Sequence, residues 1–451
     1  MSAEPLIVSV SGLRGVVGAT LTHDVAARYA AAFAADLPPG PIVIGRDGRA
    51  SGGGLAAAIT ERLTIGGRDV IDCGVAATPS IGVAVRHLRA AGGIQVSASH
   101  NPARYNGLKL FAAAGRVLPA AAGRTVLERF HAAPEPLVAD RRGSVVAHDA
   151  VPEHLRLVLA TVDVAAIRRR RPKVWIDCGH GAGSRGGIPL LEALGCEVVA
   201  TGEVPDGGFE HEPEPTAANL APLLPRIPNA GADVGFFQDP DADRLAIASA
   251  TGRFIGEEAT LALAVEGVLA HRRGPVVVNC STSRMTARIA SRHGVACHVS
   301  AVGEANVVDR MLEVDAVLGG EGNGGVIDPR VVLVRDSLVA MALVLERLAT
   351  AVHGTTIDTL AADLPRGSMK KTTITLPGAG AAADLAAVCG RIAAAFPAAE
   401  SSRLDGLRLD WEGGWLLVRA SNTEPIVRLV CEADSDEAVD AALTRAVRAI
   451  G

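Results

Sequence analysis

The sequence predicts an α/β protein: three similar α/β/α modules followed by a small α+β domain. Three observations carry this. Short β-branched runs alternate with alanine-rich or aliphatic helical stretches through the first three-quarters of the chain. The same order of strand, helix, strand and polar loop recurs three times, and after about Pro365 the pattern changes to a meander. Strands alternating with helices form parallel sheets, in which the loops at the carboxyl ends of strands gather ligands.

The modules open on PIVIGRD from Pro41, PKVWIDCG from Pro172 and GPVVVNCS from Gly274. A second strand follows a glycine in each: GGRDVIDCG from Gly66, LGCEVVATG from Leu194, HGVACHVSAVG from His293. A third strand leads into SASHNP after Val96, DPDADR after Phe237 and GEGNGG after Leu318. Beyond Pro365, strands are expected over Leu407–Trp411, Trp415–Arg419 and Ile426–Cys431, turning at Gly413-Gly414. Helices are expected over Ala381–Phe396 and Asp436–Ile450. The expected domains are residues 1–150, 151–250, 251–365 and 366–451.

Composition narrows the function. Of 451 residues, 49% are hydrophobic and 21% charged, which suits large cores and excludes wholesale disorder. A net charge of −5 provides no basic footprint for nucleic acid. Seven cysteines, an odd number without a C-x-x-C pair, indicate neither a disulfide framework nor a zinc site. The N-terminus does not read as a signal peptide, and no apolar stretch reaches the roughly 18 residues of a membrane span. The expectation is a reduced, soluble, cytoplasmic protein with no membrane partner. Lysine occurs only at Lys109, Lys173, Lys370 and Lys371, so Lys109 near the first polar loop stands out.

The loops carry the chemistry. Asp239, Asp241 and Asp243 alternate in DPDADR, and three such carboxylates repel unless a cation holds them. An EF-hand would need glycine at Arg244 and glutamate at Ala250, so it fails. A haloacid-dehalogenase-type phosphatase would place a small hydroxyl residue after its D-x-D, and Ala242 stands there. A compact site for a hard cation such as Mg²⁺ survives, with positions left for phosphate oxygens.

With a metal expected at the matching end of the next module, Ser99 becomes a hydroxyl that can carry phosphate. A phosphoserine brings about −1.5 to −2 charge and needs the metal to face three aspartates. The metal would polarise the phosphoryl group. His100 is placed to orient phosphate or shuttle a proton, and Lys109 to supply a point charge. Glu321 and Asn323 in GEGNGG suit sugar hydroxyls, and Arg14 between Gly12 and Gly15 suits a phosphate clamp. Arg419, Ser421, Asn422, Thr423 and Arg428 combine two arginines, two hydroxyls and a tight turn, an anion site of phosphate size.

These residues resemble the α-D-phosphohexomutases. SASHNP is similar to the family's phosphoserine loop, DPDADR to its magnesium loop, GEGNGG to its sugar loop, RASNTEP to its phosphate loop and SGLRG to its N-terminal arginine motif. The matches fall in family order across essentially the whole chain. The resemblance implies four domains around one central cleft. It implies that Ser99 carries the phosphate and, with Asp239, Asp241 and Asp243, holds one Mg²⁺. Arg14, His100, Lys109 and Arg244 would surround the transferring group. Glu321 and Asn323 would read the sugar, and the C-terminal loop would grip the phosphate that is not reacting. It also implies a phosphorylated hexose substrate, a hexose 1,6-bisphosphate as activator, and a monomer or homodimer.

Two departures stand out. Pro240 and Ala242 replace the magnesium loop's usual glycines, from which a stiffer loop is expected. Asn323 and Gly325 stand where many bacterial members have Ser and His, so another group, Lys109 or His100, would move the proton. The Asn-Gly-Gly form looks more like archaeal-type members, and phosphoglucosamine mutase is the expected activity, ahead of phosphomannomutase or phosphoglucomutase. A Mg²⁺-dependent sugar phosphatase and a non-catalytic sugar-phosphate-binding regulator are more distant alternatives.

Overall fold

The computed structural model describes residues 4–132, 138–375, 381–420 and 426–450. In its first sheet, Ile42–Arg46 lies between Val70–Val75 and Gly92–Val96, all parallel, and Tyr105–Ala112 pairs antiparallel with Gly92–Val96. The second sheet repeats this with Lys173–Asp177 between Glu197–Thr201 and Val234–Gln238, closed by antiparallel Leu245–Ser249. The third does so with Val276–Asn279 between Cys297–Ser300 and Leu318–Glu321, closed by Gly325–Ile327.

The repeat is therefore one topology used three times, with spatial order fourth, third, first, second. The expected modules end at the third strand; the structure adds a fourth that turns straight back. Each polar loop is the hairpin between third and fourth strands, and this is why matching chemistry recurs at matching places. Inner strands such as Gly92–Val96, Lys173–Asp177 and Val234–Gln238 are buried along almost their whole length because both faces are covered. The first sheet also gains an N-terminal hairpin, Ile7–Ser9 with Gly12–Val16, whose Arg14 sits opposite Gly107.

Helices Glu257–Leu269 and Ser337–Ala349 are buried on almost every face, as expected of helices apolar all round. They belong to one apolar cluster that also takes Val43 and Ile81 from the first module, Ile176 and Phe236 from the second, and Val276 and Leu318 from the third. Each large aliphatic side chain buried there contributes about 1.5–3 kcal/mol. A shared core holds the three sheets as a unit, so their loops keep fixed relative positions.

The C-terminal sheet has five strands: Ser368–Thr375, Ile426–Ala433, Gly414–Ala420, Leu407–Trp411 and Glu400–Ser402 in spatial order. The first and last of these were not expected. Ser368–Thr375 contains Lys370 and Lys371 on an edge, and a two-lysine run carries little strand signal until Ile426–Ala433 offers its hydrogen bonds. This domain has its own core and docks through Trp415 and Leu417 against Cys280. Among the described residues no helix is long and apolar enough to cross a membrane.

Candidate active site

Ser99 is wholly buried at the tip of the first hairpin, with φ of 52°. A non-glycine residue at left-handed φ is strained by about 1–3 kcal/mol and persists only where its surroundings over-determine it. They do so here. The Ser99 amide donates to Ser97 Oγ at 2.8 Å, and Ser97 Oγ donates to Asp47 Oδ2 at 2.6 Å. Arg49, also buried, donates to the carbonyls of Ser99 at 2.6 Å, Asn101 at 2.5 Å, Pro102 at 2.8 Å and Tyr105 at 3.0 Å. Its Nε donates to Asp47 at 3.1 Å. One guanidinium thus gathers four carbonyls and braces the whole loop.

The hydroxyl of Ser99 donates to Asp239 Oδ2 at 2.8 Å, joining the first loop to the second. Asp239, Asp241 and Asp243 are all fully buried, and one oxygen from each lies within 4.8 Å of the others. Ala242 between them takes φ of 56°, so the turn expected to be stiff holds a left-handed alanine. Asp239 Oδ1 accepts from the amides of Asp243 and Arg244 at 3.1 and 3.2 Å. Thr78 donates its hydroxyl to Asp241 Oδ2 at 2.5 Å. Among the described residues, Asp241 Oδ1 and Asp243 Oδ1 have no hydrogen-bond partner. Buried carboxylate oxygens left bare are costly unless a cation takes them, so the triad fits a hard divalent ion.

The electrostatics agree. Burial, then Asp243 and Asp241, push Asp239 well above the usual carboxylate range. Burial also opposes ionisation of Asp243, yet Arg335, Lys109 and Arg244 hold it well below that range. Lys109 Nζ donates to Asp241 at 2.5 Å and Asp243 at 2.6 Å; burial lowers its pKa, but the two carboxylates outweigh that and raise it. Lys109 is therefore a buried cation of the site rather than a surface lysine. His100 Nδ1 is 3.3 Å from Ser99 Oγ, and burial followed by Arg244 and Arg14 pushes its pKa down to about 2, so the ring is neutral. Arg14 Nη1 donates to Asn101 at 3.1 Å, and Arg244 Nε lies 3.7 Å from Asp243.

The third loop joins the same cluster. Glu321 ends its strand, accepting from Asn279 at 2.7 Å and from the Gly303 amide at 3.1 Å. Arg335 bridges Glu321 and Asp243, at 2.7 Å to each. Asn323 is partly exposed, its Oδ1 accepting from the Gly325 amide at 3.3 Å. In the C-terminal domain Arg419 and Arg428 face each other across paired strands, a like-charge juxtaposition that an anion would relieve. Asp405 accepts from Arg419 at 2.9 Å and from the Val302 amide at 2.9 Å, next to Gly303. Ser421, Asn422 and Thr423 lie outside the described residues.

The structure thus brings Ser99, His100, Lys109, Arg14, Arg244, the three aspartates and Glu321 together. Arg49, Thr78, Glu304 and Arg335 have no counterpart among the sequence expectations. Arg49 could have been suspected from Asp47-x-Arg49 after a strand, and Arg335 from a charged pair, Arg335-Asp336, ending an apolar run. Ser80, His154 and Asp336 also align, at 2.8 and 2.7 Å. All three are at most 1% exposed, so this line braces the junction of the modules and admits no substrate.

Family models agree with the geometry. Residues 6–136, 152–252 and 257–367 match phosphoglucomutase/phosphomannomutase alpha/beta/alpha domains I, II and III, and residues 381–449 match the C-terminal domain. A phosphoglucomutase/phosphomannomutase of Thermococcus kodakarensis is 36% identical over 440 residues, 94% of each chain. The chain belongs to the α-D-phosphohexomutase family. It is an isomerase of that family, acting on phosphorylated sugar. A probable phosphoglucosamine mutase of Methanopyrus kandleri is 32% identical, covering 95% of this chain and 94% of its own. The crystal structure of a phosphoglucomutase/phosphomannomutase family protein from Burkholderia thailandensis superposes with a TM-score of 0.85 at 28% identity, over 98% of both chains. Loops of the first three matched domains therefore meet around the Ser99–Asp239 contact.

Proposed function

We propose that the chain interconverts hexose 6-phosphate and hexose 1-phosphate through phosphorylated Ser99, with phosphoglucosamine as the preferred substrate. The observation that carries this is the buried hydroxyl of Ser99, 2.8 Å from the aspartate cluster and ringed by Lys109, Arg14, Arg244 and His100. Residues 1–150, 151–250, 251–365 and 366–451 act as four domains, each contributing one loop to the cleft.

The sugar hydroxyl attacks phosphorus on Ser99, the bond to Oγ breaks, and Ser99 recovers a hydroxyl as the sugar becomes a bisphosphate. The sugar turns over, and Ser99 takes the other phosphate. Two groups are at hand for the proton: neutral His100 at Ser99 Oγ, and Lys109, which the aspartates hold charged. Mg²⁺ on Asp239, Asp241, Asp243 and the phosphoserine would neutralise charge gathering on the phosphoryl oxygens. Glu321 and Asn323 hold sugar hydroxyls; Arg419, Arg428, Ser421, Asn422 and Thr423 hold the idle phosphate. Hexose 1,6-bisphosphate serves as activator by phosphorylating Ser99. The reading includes a cytoplasmic monomer or homodimer, and seven free thiols suit a reducing compartment.

The test is ³¹P NMR with Mg²⁺ and a trace of hexose bisphosphate, supplying glucosamine, glucose and mannose 6-phosphates separately. A sugar 1-phosphate signal is expected, fastest with glucosamine 6-phosphate and lost in Ser99→Ala. Release of inorganic phosphate alone, retained in Ser99→Ala, would make the protein a phosphatase instead.

A further inference from the structure

Gly325 faces Arg335 in a way that conformational freedom does not explain. Its φ is not in the left-handed region, so any residue could adopt its backbone. Space is what it lacks. A Cβ at position 325 would lie 2.3 Å from Arg335 Cδ, 2.8 Å from Cγ and 3.2 Å from Cβ. The arginine side chain passes through the volume that a side chain of the sugar loop would fill.

Arg335 uses that passage to reach two loops at once. Nη2 donates to Asp243 Oδ2 at 2.7 Å, while Asp243 Oδ1 accepts no hydrogen bond among the described residues, and Nη1 donates to Glu321 Oε2 at 2.7 Å. Its backbone amide donates to Glu304 Oε1 at 2.7 Å, and its Nε lies 3.4 Å from Glu304 Oε2. The next residue, Asp336, caps helix Ser337–Ala349 through the amides of Leu338 and Val339 and is tied to His154. The base of the arginine is thus fixed to the core. A planar guanidinium holds two carboxylates at a set separation, which a single ammonium cannot do.

We propose that Arg335 is a positioning residue for phosphoryl transfer. Passing over Gly325, it locks Glu321 of the sugar loop to Asp243 of the metal loop and so sets where the sugar hydroxyl meets the phosphoryl group. This rests on the mutase reading above. A displacement of about 1 Å at such a junction costs on the order of 10²-fold in rate.

The test compares wild type, Arg335→Gln, Arg335→Lys, Gly325→Ala and the double variant Gly325→Ala/Arg335→Gln. Isomerisation kinetics and the Mg²⁺ concentration giving the half-maximal thermal shift are both measured. Arg335→Gln and Gly325→Ala are each expected to lower kcat by roughly 10²-fold with a much smaller change in KM. Arg335→Lys recovers part of that loss. The double variant is no slower than Arg335→Gln alone, because both changes break one bridge. Removing a cation beside Asp243 strengthens Mg²⁺ binding, so the midpoint falls several-fold in Arg335→Gln. Wild-type kcat in Gly325→Ala, losses that multiply in the double variant, or weaker Mg²⁺ binding in Arg335→Gln would each overturn the proposal. If wild type isomerises no hexose phosphate, the mutase reading fails, and the Mg²⁺ midpoints alone then judge the bridge.

Discussion

Ser99 and Ala242 both hold left-handed backbone, one at the reacting hydroxyl and one inside the acidic turn. Each is clamped from outside its loop: Ser99 by Arg49, and Ala242 through its carbonyl, which accepts from Ser337 Oγ at 2.7 Å. Glu258 shows a different kind of residue-level tension. It is pressed against the sugar loop, where a Cβ at Gly322 would meet both carboxylate oxygens at 2.2 Å. Burial pushes its pKa up to about 8. The unfolded chain releases that proton near pH 4.3, whereas the folded chain keeps it until about 8. Folding stability therefore falls as pH rises through this window, by at most about 1.4 kcal/mol per unit from this group. Glu258→Gln cannot ionise, so its urea midpoint is expected to fall less between pH 5 and pH 8 than that of wild type. Equal falls in the two proteins would remove Glu258 as the source.

At the scale of elements, the strand-to-strand hairpin is the functional unit, and Arg49 shows how one is held. Its guanidinium serves four carbonyls of the Ser99 loop and lies 5.1 Å from the ring centroid of Phe209 in the second module. Arg49→Lys keeps the charge but leaves several buried carbonyls without donors, each costing about 1–3 kcal/mol unless the loop relaxes. The expected outcome is a loss of roughly 2 kcal/mol in urea unfolding at unchanged m value, together with at least a tenfold lower kcat. Stability lost with kcat intact would show that the brace serves the fold and not the reacting serine. The strands around these loops were legible in the sequence because parallel strands are apolar on both faces. Arg49 was not, because its partners are carbonyls, which no side-chain pattern reveals.

Over the whole molecule, three modules share a core and the fourth domain docks on the third, with Glu432 at one buried point of that junction. Glu432, fully buried, accepts from Ser283 Oγ at 3.0 Å, the Arg284 amide at 2.8 Å and Trp415 Nε1 at 2.7 Å. In the proposed reading these contacts also hold Arg419 and Arg428 where they grip the idle phosphate. Glu432→Ala strands three buried donors and is expected to loosen that docking. The predicted signature is a KM for hexose phosphate raised at least tenfold, with Ser99 phosphorylation by hexose bisphosphate retained in mass spectrometry. A calorimetric trace splitting into two transitions would accompany it. Unchanged KM would mean that the fourth domain is held by other contacts.

The sequence by itself determined the three α/β modules, the α+β ending and the loops bearing Ser99, the aspartates and Glu321. It could do so because strand periodicity and unusual polar clusters are local properties of the chain. Only the tertiary structure decided what those loops share. Lys109 became a buried partner of two aspartates, Arg335 a link between metal and sugar loops, and Gly325 the space through which that link passes. Such facts depend on distances between residues from 14 to 134 positions apart in the chain, the longest joining separate modules. A one-dimensional pattern records neither the close approach nor the charge that a buried neighbour supplies.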